Sequence, residues 1–436
     1  MYPTPSRSPR HLPALRLSAA CAAVTTLLCP AVRADDLATQ APANPYTLGV
    51  LETYAHDSNV FRAPSGPEAL PDWISTTGVF ASVDKAYGRE RLIASGELDY
   101  NKFRHQTQLD STAHTLSIEG DWATIDRLSG EVGYSDSSQL YRYSLNNVQT
   151  LTAKNTLGTH SGFARFHLGV VTRLTFDATL ESYQQDYSAQ VYKYRELKRH
   201  DGSLGVTYQT SSELRTSLSY RRTIGDYPNY TQGVDATGQP VTVPDHFHRG
   251  DVILGAVYTP SGASQLHVQV SRADEHHSVL TNRSFNSWTL NGGWTWLATG
   301  RTTLALNFVR DDDTGTEDIG LLGLPVATND ATKRTAVTGK LTYNATAKIQ
   351  LVGSGTFARR LLDTAFSQAP GANASVTGSD KLYQASLGFN YVPTRSIQLG
   401  CSGAREQRSV QGQSITVVTY PYRDTLWSCT GQFAFN

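Results

Sequence analysis

The chain has 436 residues, 39% of them hydrophobic and only 17% charged, with 35 Gly, 22 Tyr and one Met, whereas an average soluble domain carries about a quarter charged residues. Mean hydropathy is −0.35 and no apolar run of roughly 18 residues follows the N-terminus, which excludes a bundle of transmembrane helices and leaves strands as the only means of crossing a bilayer. The 38 basic and 38 acidic residues balance, which argues against a basic nucleic-acid binder.

Residues 1–34 read as a cleaved secretory signal: Arg7, Arg10 and Arg16 precede the apolar stretch from Leu17 to Leu28, and Val32 and Ala34 are the small residues a signal peptidase needs. Four arginines and no acid leave with this segment, so the mature chain is expected to be mildly acidic, about −4. Cys21 and Cys29 leave as well, and the exported chain keeps only Cys401 and Cys429. Residues 35–45 are expected to form a short periplasmic segment, and residues 46–436 one barrel.

From Tyr46 onward, apolar and polar residues alternate over successive segments, the period of a strand with two unlike faces. In the stretch from Leu92 to Tyr100, Ala94, Gly96, Leu98 and Tyr100 share one face while Ser95, Glu97 and Asp99 take the other. This template predicts eighteen strands, near 46–54, 73–84, 91–103, 112–123, 127–136, 155–167, 172–183, 199–209, 213–224, 247–259, 263–272, 284–297, 301–310, 332–344, 347–358, 380–391, 395–406 and 423–435. Every second connection is short, such as Ala123 to Asp126, and those between are long and polar, such as Gly225 to His246 and Arg359 to Ser379. An even strand count with loops sorted by parity predicts an all-β, antiparallel outer-membrane barrel with short periplasmic turns and long extracellular loops. Closure follows because lipid cannot satisfy a free strand edge.

Aromatic residues are expected to form two interface girdles. Trp73, Tyr87, Trp122, Trp294, Trp296, Tyr343, Tyr391, Phe433 and Phe435 are assigned to the turn side, and Tyr54, Tyr134, Tyr183, Tyr220 and Phe308 to the loop side. The last segment, Thr425 to Asn436, resembles the C-terminal signal read by the barrel insertion machinery, with Trp427, Phe433 and Phe435 on one face, although it ends in Phe-Asn.

More specific residues lie early in the mature chain: Asp57-Ser58-Asn59-Val60-Phe61-Arg62 after the first strand, then Gly88-Arg89-Glu90-Arg91 at the first tight turn, then Trp122 and the segment from Leu128 to Tyr134. Over residues 46 to 136 the chain resembles the EpsL-type family of exopolysaccharide-operon outer-membrane proteins, a branch of the β-barrel porin 2 group. Ser58 and Glu90 stand where that family commonly has a second Asp and a Gln. The resemblance implies a barrel that passes an exopolysaccharide across the outer membrane, with a periplasmic polysaccharide export protein as an expected partner. It singles out Asp57, Asn59, Phe61, Arg62, Arg89 and Arg91. The first four suggest a loop folded into the barrel mouth with Arg62 meeting a carboxylate, and the last two a basic periplasmic turn or a docking site.

Parity assigns Glu97, Asp99, Glu119, Asp121, Glu131, Asp177 and Glu181 to the lumen in the first half of the chain, and Arg215, Arg221 and Lys340 in the second. Such walls either set a transverse field in a pore or brace it through ion pairs. Tyrosines crowd the expected loops, and Tyr141, Tyr143, Tyr192, Tyr194, Tyr227 and Tyr230 suit either sugar contacts or packing of the loops on one another. Cys401 and Cys429 are symmetric about the loop from Gln407 to Tyr422 and on the same apolar face, which permits a cross-strand disulfide.

Enzymatic signatures are weak. Asp274-Glu275-His276-His277 pairs carboxylates with imidazoles, but no nucleophile elbow, zinc helix or nucleotide loop accompanies it. The acidic run from Asp311 to Asp318 lacks calcium-loop spacing. No cofactor or metal is expected, and the surroundings are outer-membrane lipid and lipopolysaccharide. Two functions stay open: polymer export, and a general or substrate-specific porin for small solutes. A noncatalytic polysaccharide-binding barrel with a plugged lumen is a third.

Overall fold

In the computed structural model, residues 45–64, 66–125, 127–141, 154–171, 173–229, 231–234, 240–279, 284–313, 331–369, 372–412 and 420–435 are described. The signal and periplasmic segments predicted for residues 1–45 lie almost wholly outside them. The strands are β1 (Tyr46–Asp57), β2 (Asp72–Tyr87), β3 (Glu90–Phe103), β4 (Ser111–Ala123), β5 (Leu128–Leu140), β6 (Thr156–Val171), β7 (Leu174–Tyr187), β8 (Leu197–Gln209), β9 (Leu214–Tyr227), β10 (Thr231–Val234), β11 (Pro240–Thr242), β12 (Asp245–Ser261), β13 (Ser264–His277), β14 (Phe285–Thr299), β15 (Thr302–Asp313), β16 (Ala331–Asn344), β17 (Ile349–Ala369), β18 (Ala372–Thr394), β19 (Ile397–Gln411) and β20 (Tyr422–Phe435).

Eighteen of them form one antiparallel sheet in chain order, and β20 pairs back onto β1, from Leu48 opposite Phe435 to Asp57 opposite Leu426. Closure leaves no edge, which is what a bilayer demands of strands. The remaining pair, β10 and β11, is a small hairpin in the connection between β9 and β12. The eight turns on one side are two to four residues long. At the first, Tyr87 faces Glu90 across Gly88 and Arg89, and Gly88 takes φ +64, a left-handed angle that glycine adopts without a Cβ clash.

Alternation decides inside from outside. On β3, Leu92, Leu98 and Tyr100 are exposed on the outer face, whereas Asp99, Asn101 and Phe103 are buried on the inner face. Leu204, Leu218, Leu254, Leu387 and Trp427 continue this apolar belt around the barrel. The chain thus builds a transmembrane outer-membrane barrel with a hydrocarbon-facing exterior.

Three expectations are corrected. The segment from Arg359 to Ser379 is not a long loop, because β17 and β18 keep pairing up to Ala369 and Ala372; antiparallel neighbours extend their ladder wherever register and residue type allow. Trp73 stands at the loop end of β2, next to Asp72, and not at the turn side. Tyr183 points inward and packs beside Leu197, Tyr227 and Phe247, so it belongs to no girdle.

Candidate functional site

The lumen is the concave, charge-lined region of the fold, and two connections fold into it from the loop side. The first joins β1 to β2. Val60 and Phe61 enter an apolar cluster with Ala55, Ile74, Phe103, Leu109 and Leu426. Asn59 pins the bend: its backbone N–H donates to Asp57 Oδ1 at 2.8 Å, its Nδ2 donates to the Ala63 carbonyl at 2.8 Å, and its Oδ1 accepts from the Ala63 N–H at 2.9 Å. Arg62 then turns back with φ +52, a conformation that a residue with a Cβ pays for at about 1–2 kcal/mol.

What holds Arg62 there is charge. Its guanidinium is buried, with Nη1 2.9 Å from Asp57 Oδ2, Nη2 2.9 Å from Asp424 Oδ2 and Nε 3.7 Å from Glu406 Oε1. Burial works against this cation, but Asp57, Asp424 and Glu406 outweigh it and hold its pKa above the ordinary arginine value. The Tyr422 hydroxyl donates to Glu406, and Arg408 lies 4.7 Å from the centre of the Tyr422 ring. Arg408 also approaches Asp380 to 3.7 Å, and Arg360 pairs with the same carboxylate. One network therefore ties the β1–β2 connection to the inner faces of β17 through β20.

The second connection joins β7 to β8 and contains a short 3₁₀ helix, Gln190–Arg195. Asn155 anchors its start by accepting the Ala189 N–H at 2.9 Å, and Glu196 anchors its end by accepting from the Tyr187 N–H at 3.1 Å and from Asn229 Nδ2 at 2.6 Å. Tyr192 is thereby presented to Tyr141 and Tyr187, with ring centroids 5.3 and 5.8 Å away. The cluster these rings form continues onto Ala336, Ala358, Leu382 and Tyr422. Those residues sit on β16, β17, β18 and β20, across the ring of strands from β6 and β7. Apolar packing therefore bridges the lumen from wall to wall.

A third cluster lies toward the loop end of β9, β12 and β13. His277 Nδ1 lies 2.7 Å from Asp245, and its Nε2 lies 2.8 Å from Glu275. Arg249 Nη2 meets Asp251 at 2.9 Å, and Arg221 reaches the same carboxylate at 3.2 Å. Alternation splits the Asp274-Glu275-His276-His277 run: Glu275 and His277 are buried inside, while Asp274 and His276 are exposed outside.

The assigned lumen residues fall as follows. Glu97, Asp99, Glu119, Asp121, Glu131, Asp177, Glu181, Arg215, Arg221 and Lys340 share the inward parity of their strands. They do not form separate acidic and basic walls. Arg165 lies between Glu131 at 3.2 Å and Glu181 at 3.6 Å, and His167 lies 2.7 Å from Asp177. Cations from β6 interleave with the acids, because inward residues on neighbouring strands are side by side. Toward the turn side the inner surface is open: Glu97, Arg215, Gln269, Asn291 and Thr295 are exposed there. The lumen is thus a wide basin on the periplasmic side and a packed constriction on the loop side.

Of the two readings of the tyrosines, packing is the one that holds for Tyr141, Tyr192 and Tyr227. Tyr141, Tyr192 and Tyr227 are each no more than 3% exposed, the first two packed on each other and Tyr227 against Leu197 and Phe247, so their faces are unavailable to a sugar. Tyr143, Tyr230 and the side chain of Tyr194 lie outside the described residues. At the periplasmic turn, Arg89 Nη1 donates to the Thr124 carbonyl at 2.8 Å, and Arg91 Nε donates to Asp84 at 2.7 Å. Cys401 and Cys429 face each other across β19 and β20 and are joined as a disulfide on the outer surface.

Sequence reasoning missed Arg360, Asp380, Glu406 and Arg408. All four lie at or beyond the predicted strand ends, but the inward parity of their strands, carried a few residues further, points to them. The 3₁₀ helix has no comparable sequence signal.

No protein-family model and no curated relative matches the chain. Among solved structures, the fold is similar to OccK2 (OpdF) of Pseudomonas aeruginosa, with 8% identity, 89% of this chain and 98% of that one covered, and a TM-score of 0.47. It is similar also to OccK5 (OpdH) of the same organism, with 11% identity, coverage of 90% and 98% and a TM-score of 0.43. The siderophore receptor PirA of Acinetobacter baumannii gives 8% identity, coverage of 91% and 81% and a TM-score of 0.44.

Proposed function

We propose that this barrel is a selective outer-membrane porin for small polar solutes. The observation that carries the reading is the β7–β8 connection, whose Tyr192 joins one wall of the lumen to the opposite one. A narrowed, ion-pair-lined passage above an open basin sieves by size and charge, and a wide polymer conduit has no use for such a crossing. The buried pairing of His277 with Asp245 and Glu275 does not favour an acid–base role for this residue, since both ring nitrogens are held by carboxylates and neither is left to move a proton to a solute. Planar-bilayer recordings of the purified protein test the reading: small, steady, charge-selective conductance is expected. A barrel that stays silent with the 190–195 segment both intact and deleted would refute it in favour of a plugged, polysaccharide-binding barrel.

A second reading, passage of an exopolysaccharide with a periplasmic export protein at the turns, rests on the resemblance around Asp57 to Arg62. Deletion of the gene is then expected to strand polymer in the periplasm, and normal surface polymer would remove this reading.

A further inference from the structure

On the outer surface, the loop-side ends of β15 through β20 carry an uninterrupted run of cations: Arg310, Lys333, Arg359, Lys381, Arg405 and Arg423, all solvent-accessible. No ion pair joins any of the six to a residue whose side chain is described, and Asp312 stands opposite Lys333 in the β15–β16 ladder. Acids of the same strands turn the other way, with Asp380, Glu406 and Asp424 buried inside against Arg360, Arg408 and Arg62. From β16 to β20 the one acidic outward position among the described residues is Asp363, four residues beyond Arg359, whereas other sectors of the outer face hold Asp136, Asp186, Asp226 and Asp274. Outward cations thus outnumber outward acids along six of the eighteen barrel strands, one third of the circumference of a balanced chain.

The arrangement is unfavourable by itself. Arg359 stands directly opposite Lys381 in the β17–β18 ladder, and Arg405 lies diagonal to Arg423, since its own partner is Thr425 and Arg423 is opposite Gln407. Like charges at such separations repel, and an anion set between them converts the repulsion into attraction. Directly beside these cations is a groove of approximately 490 Å³ on the outer face. Gly339, Gly355 and Ala385 make its floor, Phe357 and Tyr383 its walls, and Arg405 its rim. A Cβ added at Gly355 would meet nothing nearer than 3.8 Å, so the recess is real space and no side chain fills it. The two rings are 5.2 Å apart, within the belt where the barrel meets hydrocarbon.

We propose that this sector binds one molecule of the phosphorylated, acylated glucosamine lipid of the outer leaflet, the lipid A portion of lipopolysaccharide. Its phosphates sit among Arg359, Lys381 and Arg405, and one acyl chain lies in the groove. Guanidinium forks and ammonium groups suit phosphate oxygens, and only an amphipathic ligand uses the cations and the apolar groove together. The site lies on the exterior and is independent of what passes through the lumen.

The test uses the full mature protein in maltoside micelles, titrated with fluorescent bisphosphoryl lipid A. Saturable one-to-one binding is expected. Arg359→Ala with Lys381→Ala and Arg405→Ala is expected to weaken it about 100-fold or more, since each cation near an anionic lipid surface is worth roughly a factor of five. Heat-modifiable gel migration verifies that this variant is folded. Gly355→Leu fills the groove, keeps every cation, and is expected to weaken lipid A several-fold while leaving binding of the deacylated headgroup unchanged. Phosphatidylglycerol bound as tightly as lipid A, displacement of lipid A by millimolar inorganic phosphate, or wild-type affinity in the folded triple variant would each overturn the proposal. So would wild-type lipid A affinity in Gly355→Leu.

Discussion

Replacing Arg62 isolates how the β1–β2 connection is held in the lumen. Arg62→Ala removes two ion pairs at 2.9 Å and a third partner at 3.7 Å, leaving Asp57, Asp424 and Glu406 with 6%, 3% and 4% exposure. Removing one partner of a buried pair costs about 3–5 kcal/mol, most of it the penalty on the charge left behind. The backbone adds a signed control. Alanine at φ +52 retains the left-handed penalty, whereas glycine sheds about 1 kcal/mol of it. Arg62→Gly is therefore expected to be milder than Arg62→Ala by about that amount, although both lack the charge. Amide hydrogen exchange of residues 57–64 in micelles reads the local opening free energy. Protection is expected to fall in the order wild type, Gly, Ala, and Asp424→Asn in the Arg62→Ala background is expected to restore part of it by removing a stranded carboxylate. A fall of less than about 1 kcal/mol in Arg62→Ala, or Gly more damaging than Ala, would refute the electrostatic account of this loop.

Tyr192→Ala deletes the ring that contacts Tyr141 and Tyr187, and single-channel conductance is expected to rise as the bridge across the lumen loosens; unchanged conductance would place the path elsewhere. Glu97 is inward and exposed, so Glu97→Lys is expected to move the reversal potential under a salt gradient toward anions, a shift that raised ionic strength suppresses. Cys401 and Cys429 are 28 residues apart in sequence, and the chain-entropy relation gives about 3–4 kcal/mol for such a loop. Dithiothreitol is expected to lower the urea midpoint of the wild type and leave Cys429→Ser unmoved, as read by gel migration of the folded barrel. Gly225→Val sets a Cβ 2.5 Å from the Phe247 ring and 2.8 Å from the Lys198 carbonyl oxygen; folding yield is expected to drop, because backbone cannot yield as a side chain tip can.

The lumen charges show what kind of information each level carries. Glu97, Glu119, Glu131, Asp177 and Arg221 face inward because each is an even number of residues from another polar position on its strand, and period two is a local property. Their partners are another matter. That Arg165 serves both Glu131 and Glu181 depends on the registers of β5, β6 and β7, and register is set by how turns and neighbouring strands fit together. The tyrosines diverge for a similar reason. Composition puts Tyr141, Tyr192 and Tyr227 in connections, where residues are ordinarily exposed, but Tyr192 rides on a connection folded into the barrel, Tyr227 is the inward last residue of β9, and all three are buried.

By itself, the sequence determined the number of barrel strands, which connections are tight turns, the alternation of faces along the strands and the inward parity of the lumen charges, all consequences of short-range alternation under a bilayer's demand for paired backbone. Only the tertiary structure decided that Arg62 answers to carboxylates more than 300 residues away, that Tyr192 reaches the far wall, and that six cations from six strands meet on one outer sector. Those relations join residues distant in the chain, and closing the sheet into a ring is what brings them together.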